Sequence, residues 1–104
     1  MKYLALSFLF SLSTLAAEMR APVVFAATTT SAQALAFNPT RCTLIIQNDG
    51  PGIIRVKGGA AHTGSEGVKI QNGGNWEPPV GPKDAIFIKT QSSTATVDII
   101  QGDC

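Results

Sequence analysis

The sequence predicts a small all-β domain, an antiparallel β-sandwich or barrel-like fold preceded by an N-terminal leader or arm. Its apolar runs are short, turns rich in glycine, proline and asparagine separate them, and no segment after the leader has a helical period. The chain has 104 residues, enough for one domain rather than two. We assign residues 1–18 to the leader, 19–37 to an arm or first strand, and 38–104 to the β-sandwich domain.

The N-terminus has the pattern of a secretory signal peptide. Lys2 precedes the apolar run 3–17, and small residues follow. The run is shorter than the about 20 apolar residues that cross a bilayer, so no stable membrane span is expected. Cleavage after Ala16 or after Ala26 fits the pattern. Two alternatives stay open, a retained membrane anchor and a true start at Met19 with the upstream codons wrongly included.

The segment that follows has mixed strand character. Val23–Phe25 predicts an edge strand or an arm, because β-branched and aromatic residues favour strands. Ala32–Phe37 alternates and continues that strand, with a short helical turn as the alternative. Asn38 and Pro39 end it, because proline lacks a backbone donor and restricts the residue before it.

The stretch from Cys42 to Gln47 is the strongest strand prediction. Leu44 and Ile46 fall on one face of this strand, and Ile45 falls on the other. Apolar residues on both faces indicate a central strand that packs on both sides, or a strand with one side against a partner.

Four further strands are predicted between turns, and each has one apolar face. Residues 76–80 are expected to be extended but outside a sheet interior, because Pro78 and Pro79 cannot donate to a ladder. The positions predicted to face inward are Ile54, Val56, Val68, Ile70, Ile86, Ile88, Ala95, Val97 and Ile99.

The charge pattern disfavours nucleic-acid binding. Eight basic and seven acidic residues give a net charge of +1, and they are scattered singly, without aromatic residues between basic ones. The charged fraction of 14% is low for a freely soluble surface. A domain of this size also buries only a thin core. We therefore expect a β-surface covered in part by neighbours, as in a homo-oligomer.

The two cysteines, Cys42 and Cys104, predict a disulfide if the first strong strand and the last strand are neighbours. The signal-like leader is consistent with the oxidising compartment that such a bond needs. The alternatives are a buried Cys42 with a free terminal thiol, or an interchain bridge through Cys104. Two cysteines and one histidine do not form a zinc site, so no metal is expected.

The sequence offers no convincing catalytic set. His62 is the only histidine, and a Ser-His-Asp arrangement would need Ser65 with a distant Asp84 or Asp98. No Gly-x-Ser-x-Gly motif surrounds a serine. We interpret His62 as a solvated loop residue and expect a protein without enzymatic activity, catalytic residues or cofactor.

Two groups of residues are candidates for an interface. Trp76 with Pro78 and Pro79 suits a protein contact or a sugar ring, and the alternative is that Trp76 caps the open end of the sandwich. Arg55 and Lys57 point outward from one strand and suit an acidic neighbour, with a solvated face as the alternative.

The segment Asn38–Asn48 (NPTRCTLIIQN) resembles the N-P-x-R-x-x-L-x-I-Q-N opening of small β-domains in tailed-bacteriophage virion proteins, including head-decoration and fibre-associated proteins. Later parts of the chain resemble the strands and the Gly-Gly-x-Trp/Tyr-Glu turn that follow that opening. These counterparts are residues 53–56, 67–70, 73–77, 85–88 and 94–100, and the resemblance covers roughly residues 28–102.

This resemblance implies a non-enzymatic virion protein, a capsid decoration or cement protein or a fibre or spike component. Its partners would be other virion proteins, the major capsid or fibre protein, and further copies of itself. The leader and the pair Cys42 and Cys104 depart from the resembling domains. They leave open an exported bacterial β-sandwich module that recognises glycan or protein in the periplasm or outside the cell.

Overall fold

The computed structural model describes residues 18–104; residues 1–17, which carry most of the predicted leader, lie outside the described residues. The described chain forms nine strands in two antiparallel sheets that pack face to face, so the predicted all-β sandwich is confirmed. The strands are β1 (Glu18–Met19), β2 (Val23–Ala27), β3 (Ala32–Leu35), β4 (Arg41–Pro51), β5 (Ile54–Gly58), β6 (Val68–Ile70), β7 (Asn75–Trp76), β8 (Ile86–Thr90) and β9 (Ala95–Asp103).

The first sheet, sheet A, is built around the long antiparallel pair β4 and β9. Its strand order is β1-β9-β4-β7, and β2 pairs with β9 as well. The second sheet, sheet B, has the order β3-β8-β5-β6. β4 lies between β9 and β7, so the predicted central position of the strand at residues 42–47 is confirmed within its sheet. The predicted packing on both sides is not seen in residues 18–104, because they form two sheets and Ile45 faces away from the core between them.

The core lies between the sheets and consists of aliphatic side chains. The alternation identified it well, since eight of the nine later positions predicted inward are buried, as are Leu44 and Ile46. Val68 is half-buried and packs at the margin, because β6 is an edge strand. The buried hydrophobic residues are Ala27, Leu35, Leu44, Ile46, Ile54, Val56, Ile70, Ile86, Ile88, Ala95, Val97 and Ile99.

The N-terminal segment contributes a strand to each sheet. Val23–Ala27 pairs with β9 of the same chain, so it is an intrachain strand and not a free arm. Ala32–Leu35 pairs with β8, so the alternative of a helical turn is wrong, as is its continuity with β2. A bend at residues 28–31 moves the chain from one sheet to the other. Cleavage after Ala26 would therefore remove β2, whereas cleavage after Ala16 would leave every described strand in place.

β4 runs beyond its predicted end at Gln47 because the side chain of Asn48 replaces lost ladder bonds. Asn48 is fully buried, and its amide nitrogen donates to Gly52 O at 2.8 Å and to Ile70 O at 3.0 Å. Its Oδ1 accepts from the backbone nitrogen of Gly50 at 2.8 Å. The left-handed backbone of Gly50, with φ of 77°, suits glycine at this turn.

Candidate functional site

The outer face of sheet B carries a row of like charges. Arg55 on β5 lies directly opposite Lys69 on β6 and Lys89 on β8. Neighbouring strands are about 4.8 Å apart, so three cations stand side by side within about 10 Å. Lys57 projects from the same face of β5. The strands of sheet B contain these four cations and no carboxylate; we call Arg55, Lys57, Lys69 and Lys89 the cationic face.

The loop from β5 to β6 lies against this face. Three of the cations donate to its backbone carbonyls, which carry partial charge only and leave the positive charge uncompensated. These bonds are Lys57 Nζ to Ala61 O (3.2 Å), Lys89 Nζ to Gly64 O (3.1 Å) and Arg55 Nη1 to Gly67 O (3.4 Å).

Glu66 is the carboxylate that meets the cationic face. Its oxygens accept from the backbone nitrogens of Thr63 and Gly64 and from the Thr63 hydroxyl, which lowers the pKa of Glu66 to about 2. Oε2 lies 3.6 Å from Lys57 Nζ. The Lys69 side chain is exposed and forms no hydrogen bond or ion pair with any residue from 18 to 104. One carboxylate against four cations leaves the face strongly positive.

His62 lies beside the cationic face and is not the solvated residue that the sequence predicts. Its Nδ1 lies 2.7 Å from Ser31 Oγ, which also accepts the His62 backbone N–H at 3.0 Å. Its Nε2 is buried and has no hydrogen-bond partner among the described residues. Burial lowers the pKa of His62, nearby Lys89 and Lys57 lower it further, and Glu66 opposes them. The side chain of His62 thus hydrogen-bonds to Ser31, and not to Ser65, the serine that a catalytic arrangement would have needed.

Acidification is expected to weaken the fold through His62. Because the folded-state pKa lies below the ordinary 6.5, the neutral ring contributes stability that is fully present above pH 6.5. That contribution falls as the pH drops below 6.5, since the unfolded chain binds the proton first. Urea midpoints at pH about 7.5 and about 5, followed by Trp76 fluorescence, should fall further for the wild type than for His62→Gln. An equal fall in both proteins would contradict this assignment.

The outer face of sheet A carries the opposite charge. Asp98 on β9 pairs across the sheet with Gln47 on β4, whose side chain donates to Asp49 Oδ1 at 3.1 Å. The adjacent Asp49 carboxyl raises the pKa of Asp98, and desolvation and charge repulsion act in the same direction. No lysine or arginine in residues 18–104 forms an ion pair with either one. We call Asp49 and Asp98 the acidic pair.

The proline-flanked tryptophan lies on the edge strand of sheet A, whereas the cationic face lies on sheet B. Trp76 is half-buried, stands opposite Ile46 and packs against the core. Its role in an interface stays a prediction. Pro78 is half-buried and Pro79 is exposed. The structure therefore does not bring Trp76 together with Arg55 and Lys57, the other interface candidates.

The predicted disulfide is confirmed. Cys42 near the start of β4 is bonded to Cys104, with a Cα–Cα distance of 5.7 Å. The backbone nitrogen of Cys104 also donates to Thr40 O at 3.0 Å. The bond fastens the C-terminus of the chain to the central strand of sheet A.

Sequence reasoning identified half of the cationic face. It gave Arg55 and Lys57, which alternate with buried residues on one strand, but it missed Lys69 and Lys89. The same alternation turns them outward, yet only the register of β5 with β6 and β8 makes them neighbours. That register is set by long-range pairing, which the sequence does not display.

Residues 18–104 contain no group of three or more potential metal ligands and no helix long and apolar enough to cross a membrane. The chain matches no family model, no curated protein and no solved structure. The feature that calls for a functional explanation is therefore the separation of charge between two rigid faces of one sandwich.

Proposed function

We propose that this protein is a non-enzymatic structural protein of a virion, a capsid decoration protein or a fibre or spike component, that acts by protein–protein adhesion. The separation of charge between the two sheets is the observation that carries this proposal. Like charges placed side by side on a sheet are destabilising. The core is complete without them, because Arg55, Lys69 and Lys89 point away from it. A partner of opposite charge that binds to either face would remove this repulsion.

Two further observations support a structural role at an exposed place. The disulfide between Cys42 and Cys104 persists in oxidising surroundings, which include virion surfaces. The resemblance of residues 38–48 to β-domains of tailed-bacteriophage virion proteins favours a phage particle as the structure to which the protein belongs. The sandwich presents each charged row on paired strands, and such preorganised groups bind with little loss of conformational freedom.

Incorporation into particles tests this function. Particles purified from a culture that expresses the chain should contain it in fixed proportion to the major capsid or fibre protein, as measured by mass spectrometry. Moderately high salt should release it, since exposed charges are screened. Lys69→Glu should lower its content, whereas Asp84→Lys, an exposed change before β8 and outside both charged faces, should not. Absence of the wild-type chain from particles would reject the virion function.

A second candidate is an exported binding module that recognises glycan or protein. The disulfide favours it, because the periplasm and the extracellular space are also oxidising. The cationic face would then suit an acidic glycan or an acidic protein surface. Cell fractionation separates the two candidates, since this one requires the chain in the periplasm or medium of cells that make no particles.

A further inference from the structure

We propose that copies of this chain stack head to tail, with the cationic face of one copy seated against the acidic pair of the next. The inference rests on the proposed adhesive function and names a second copy of the chain as the partner. Charge complementarity identifies a second copy as the partner, because the cationic face is positive and the surface around the acidic pair is negative.

Both surfaces are left uncompensated within one described chain. Arg55, Lys69 and Lys89 have no carboxylate partner at ion-pair distance, and Lys57 alone meets Glu66. On sheet A, Asp49 and Asp98 stand together with only the Gln47 amide as a donor. Each arrangement is repulsive by itself, and contact between the two would convert both repulsions into attraction.

The two surfaces cannot neutralise each other inside one molecule. The cationic face lies outside sheet B and the acidic pair lies outside sheet A, with the core between the sheets. Packed sheets are about 10 Å apart, and both sets of side chains point away from that space. A second copy is therefore needed. Because the contacting surfaces differ and lie on opposite sides, the contact is heterologous and extends into a stack instead of closing as a dimer.

Half-buried apolar side chains adjoin the charges at matching offsets. On sheet B, Phe87 is two residues from Lys89 along β8 and pairs with Lys57 of β5. On sheet A, Ile100 is two residues from Asp98 along β9 and pairs with Ile45. Two residues of strand span about 7 Å, so Phe87 stands about as far from the row of Lys69, Arg55 and Lys89 as Ile100 stands from Asp98. Contact between the charges would therefore bring Phe87, with Lys57 beside it, towards Ile45 and Ile100.

Long-range repulsion between copies does not oppose this contact. The net charge of the whole chain is only +1, so the attraction between local patches is not offset by a large charge of one sign. The side chains involved are screened by salt, because Lys69 and Asp49 are exposed. Stacking should accordingly be strongest at low ionic strength.

Charge reversal and mixing test the stack. Sedimentation velocity of the oxidised chain at low salt should show a mass that rises with concentration beyond that of a dimer. Lys69→Glu and Asp98→Lys should each weaken association by about tenfold or more, because each places a charge of the repelling sign in the contact and reduces the charge difference between the two faces. A mixture of these two variants should associate again, since the intact face of each fits the intact face of the other. Asp84→Lys, an exposed change before β8 with the same charge change as Asp98→Lys, should behave as the wild type.

The mixture excludes misfolding as an explanation, because damaged proteins would not recover on mixing. A wild-type chain that stays monomeric at low salt, or two variants that fail to associate when mixed, would overturn the stack. Binding of a monomeric chain to heparin through Lys69 would instead assign the cationic face to an external polyanion. Self-association is measured without particles, so its failure leaves the virion function standing, and absence from particles leaves the stack standing.

Discussion

Replacing Arg41 with methionine is expected to lower the free energy of unfolding by about 3–5 kcal/mol, a large share of the 5–15 kcal/mol typical of a domain. Arg41 is fully buried. Its guanidinium donates to four neutral oxygens, and burial is the main cause that lowers its pKa. The acceptors are Gln101 Oε1 (2.9 Å), Pro82 O (2.7 Å), Asp84 O (2.9 Å) and Ala36 O (2.8 Å).

These acceptors come from three separate parts of the chain, which the guanidinium joins. Ala36 precedes the first proline turn, Pro82 and Asp84 lie before β8, and Gln101 lies on β9. Loss of the guanidinium removes a donor from each of the four oxygens, at about 1–3 kcal/mol for each one left unpaired, and within residues 18–104 only Gln101 Oε1 keeps a second donor, the Asn38 amide. Removal of the buried charge recovers part of that cost, because a charge is expensive to desolvate. The two effects together give the expected net loss of about 3–5 kcal/mol in the free energy of unfolding.

Urea unfolding followed by the fluorescence of Trp76, the single tryptophan, measures this loss. Arg41→Lys should lose about 2 kcal/mol, because an ammonium group cannot reach four acceptors set around a planar fork. Arg20→Met is the matched control, since Arg20 lies at the surface and its side-chain contact in residues 18–104 is with Asp103. The prediction is wrong if Arg41→Met unfolds within 1 kcal/mol of the control.

The inward faces of the strands could be predicted from sequence because their signal is local. Ile54 and Val56, or Ile86 and Ile88, alternate with polar or exposed positions, and the period of two alone assigns them to one face. The turns at glycine and proline could be predicted for a similar reason, since their backbone requirements involve only adjacent residues.

The features that escaped prediction depend on contacts distant in sequence. Arg41 has the charge of a surface residue, and only the meeting of residues 36, 82 and 84 explains its burial. Ser31 and His62 are 31 residues apart and touch because the β5–β6 loop reaches the start of β3. The strand at Ala32–Leu35 was ambiguous, since its small residues satisfy helix and strand patterns alike, and pairing with β8 decides between them.

The cationic face and the buried arginine illustrate two uses of positive charge in one chain. Arg41 is fully buried and donates to four oxygens of its own chain, so its charge is out of reach of a partner. Arg55, Lys69 and Lys89 lie on the outer face of sheet B, so their charge remains accessible even where it meets a carbonyl. This difference in burial, rather than the number of basic residues, separates a structural cation from a binding one.

Removal of the disulfide is expected to lower the free energy of unfolding by about 4 kcal/mol. Cys42 and Cys104 are 62 residues apart, so the bond restricts a long loop in the unfolded chain. Cys42 is half-buried and Cys104 is exposed, and little packing is lost when both become serine. The stabilising effect therefore arises mainly from the lost freedom of the unfolded state.

The double variant Cys42→Ser with Cys104→Ser separates this origin from a packing effect. Its urea midpoint should fall, and the dependence of the unfolding free energy on urea should steepen, because the unbridged chain exposes more surface. Reduced wild-type protein is the control and should match the double variant in both quantities. A loss below about 1 kcal/mol, with unchanged urea dependence, would mean that β4 and β9 hold the C-terminus without the bond. The extensive pairing of these strands, from Arg41 opposite Asp103 to Pro51 opposite Ala95, makes that comparison a direct test of whether the sheet or the cross-link limits stability.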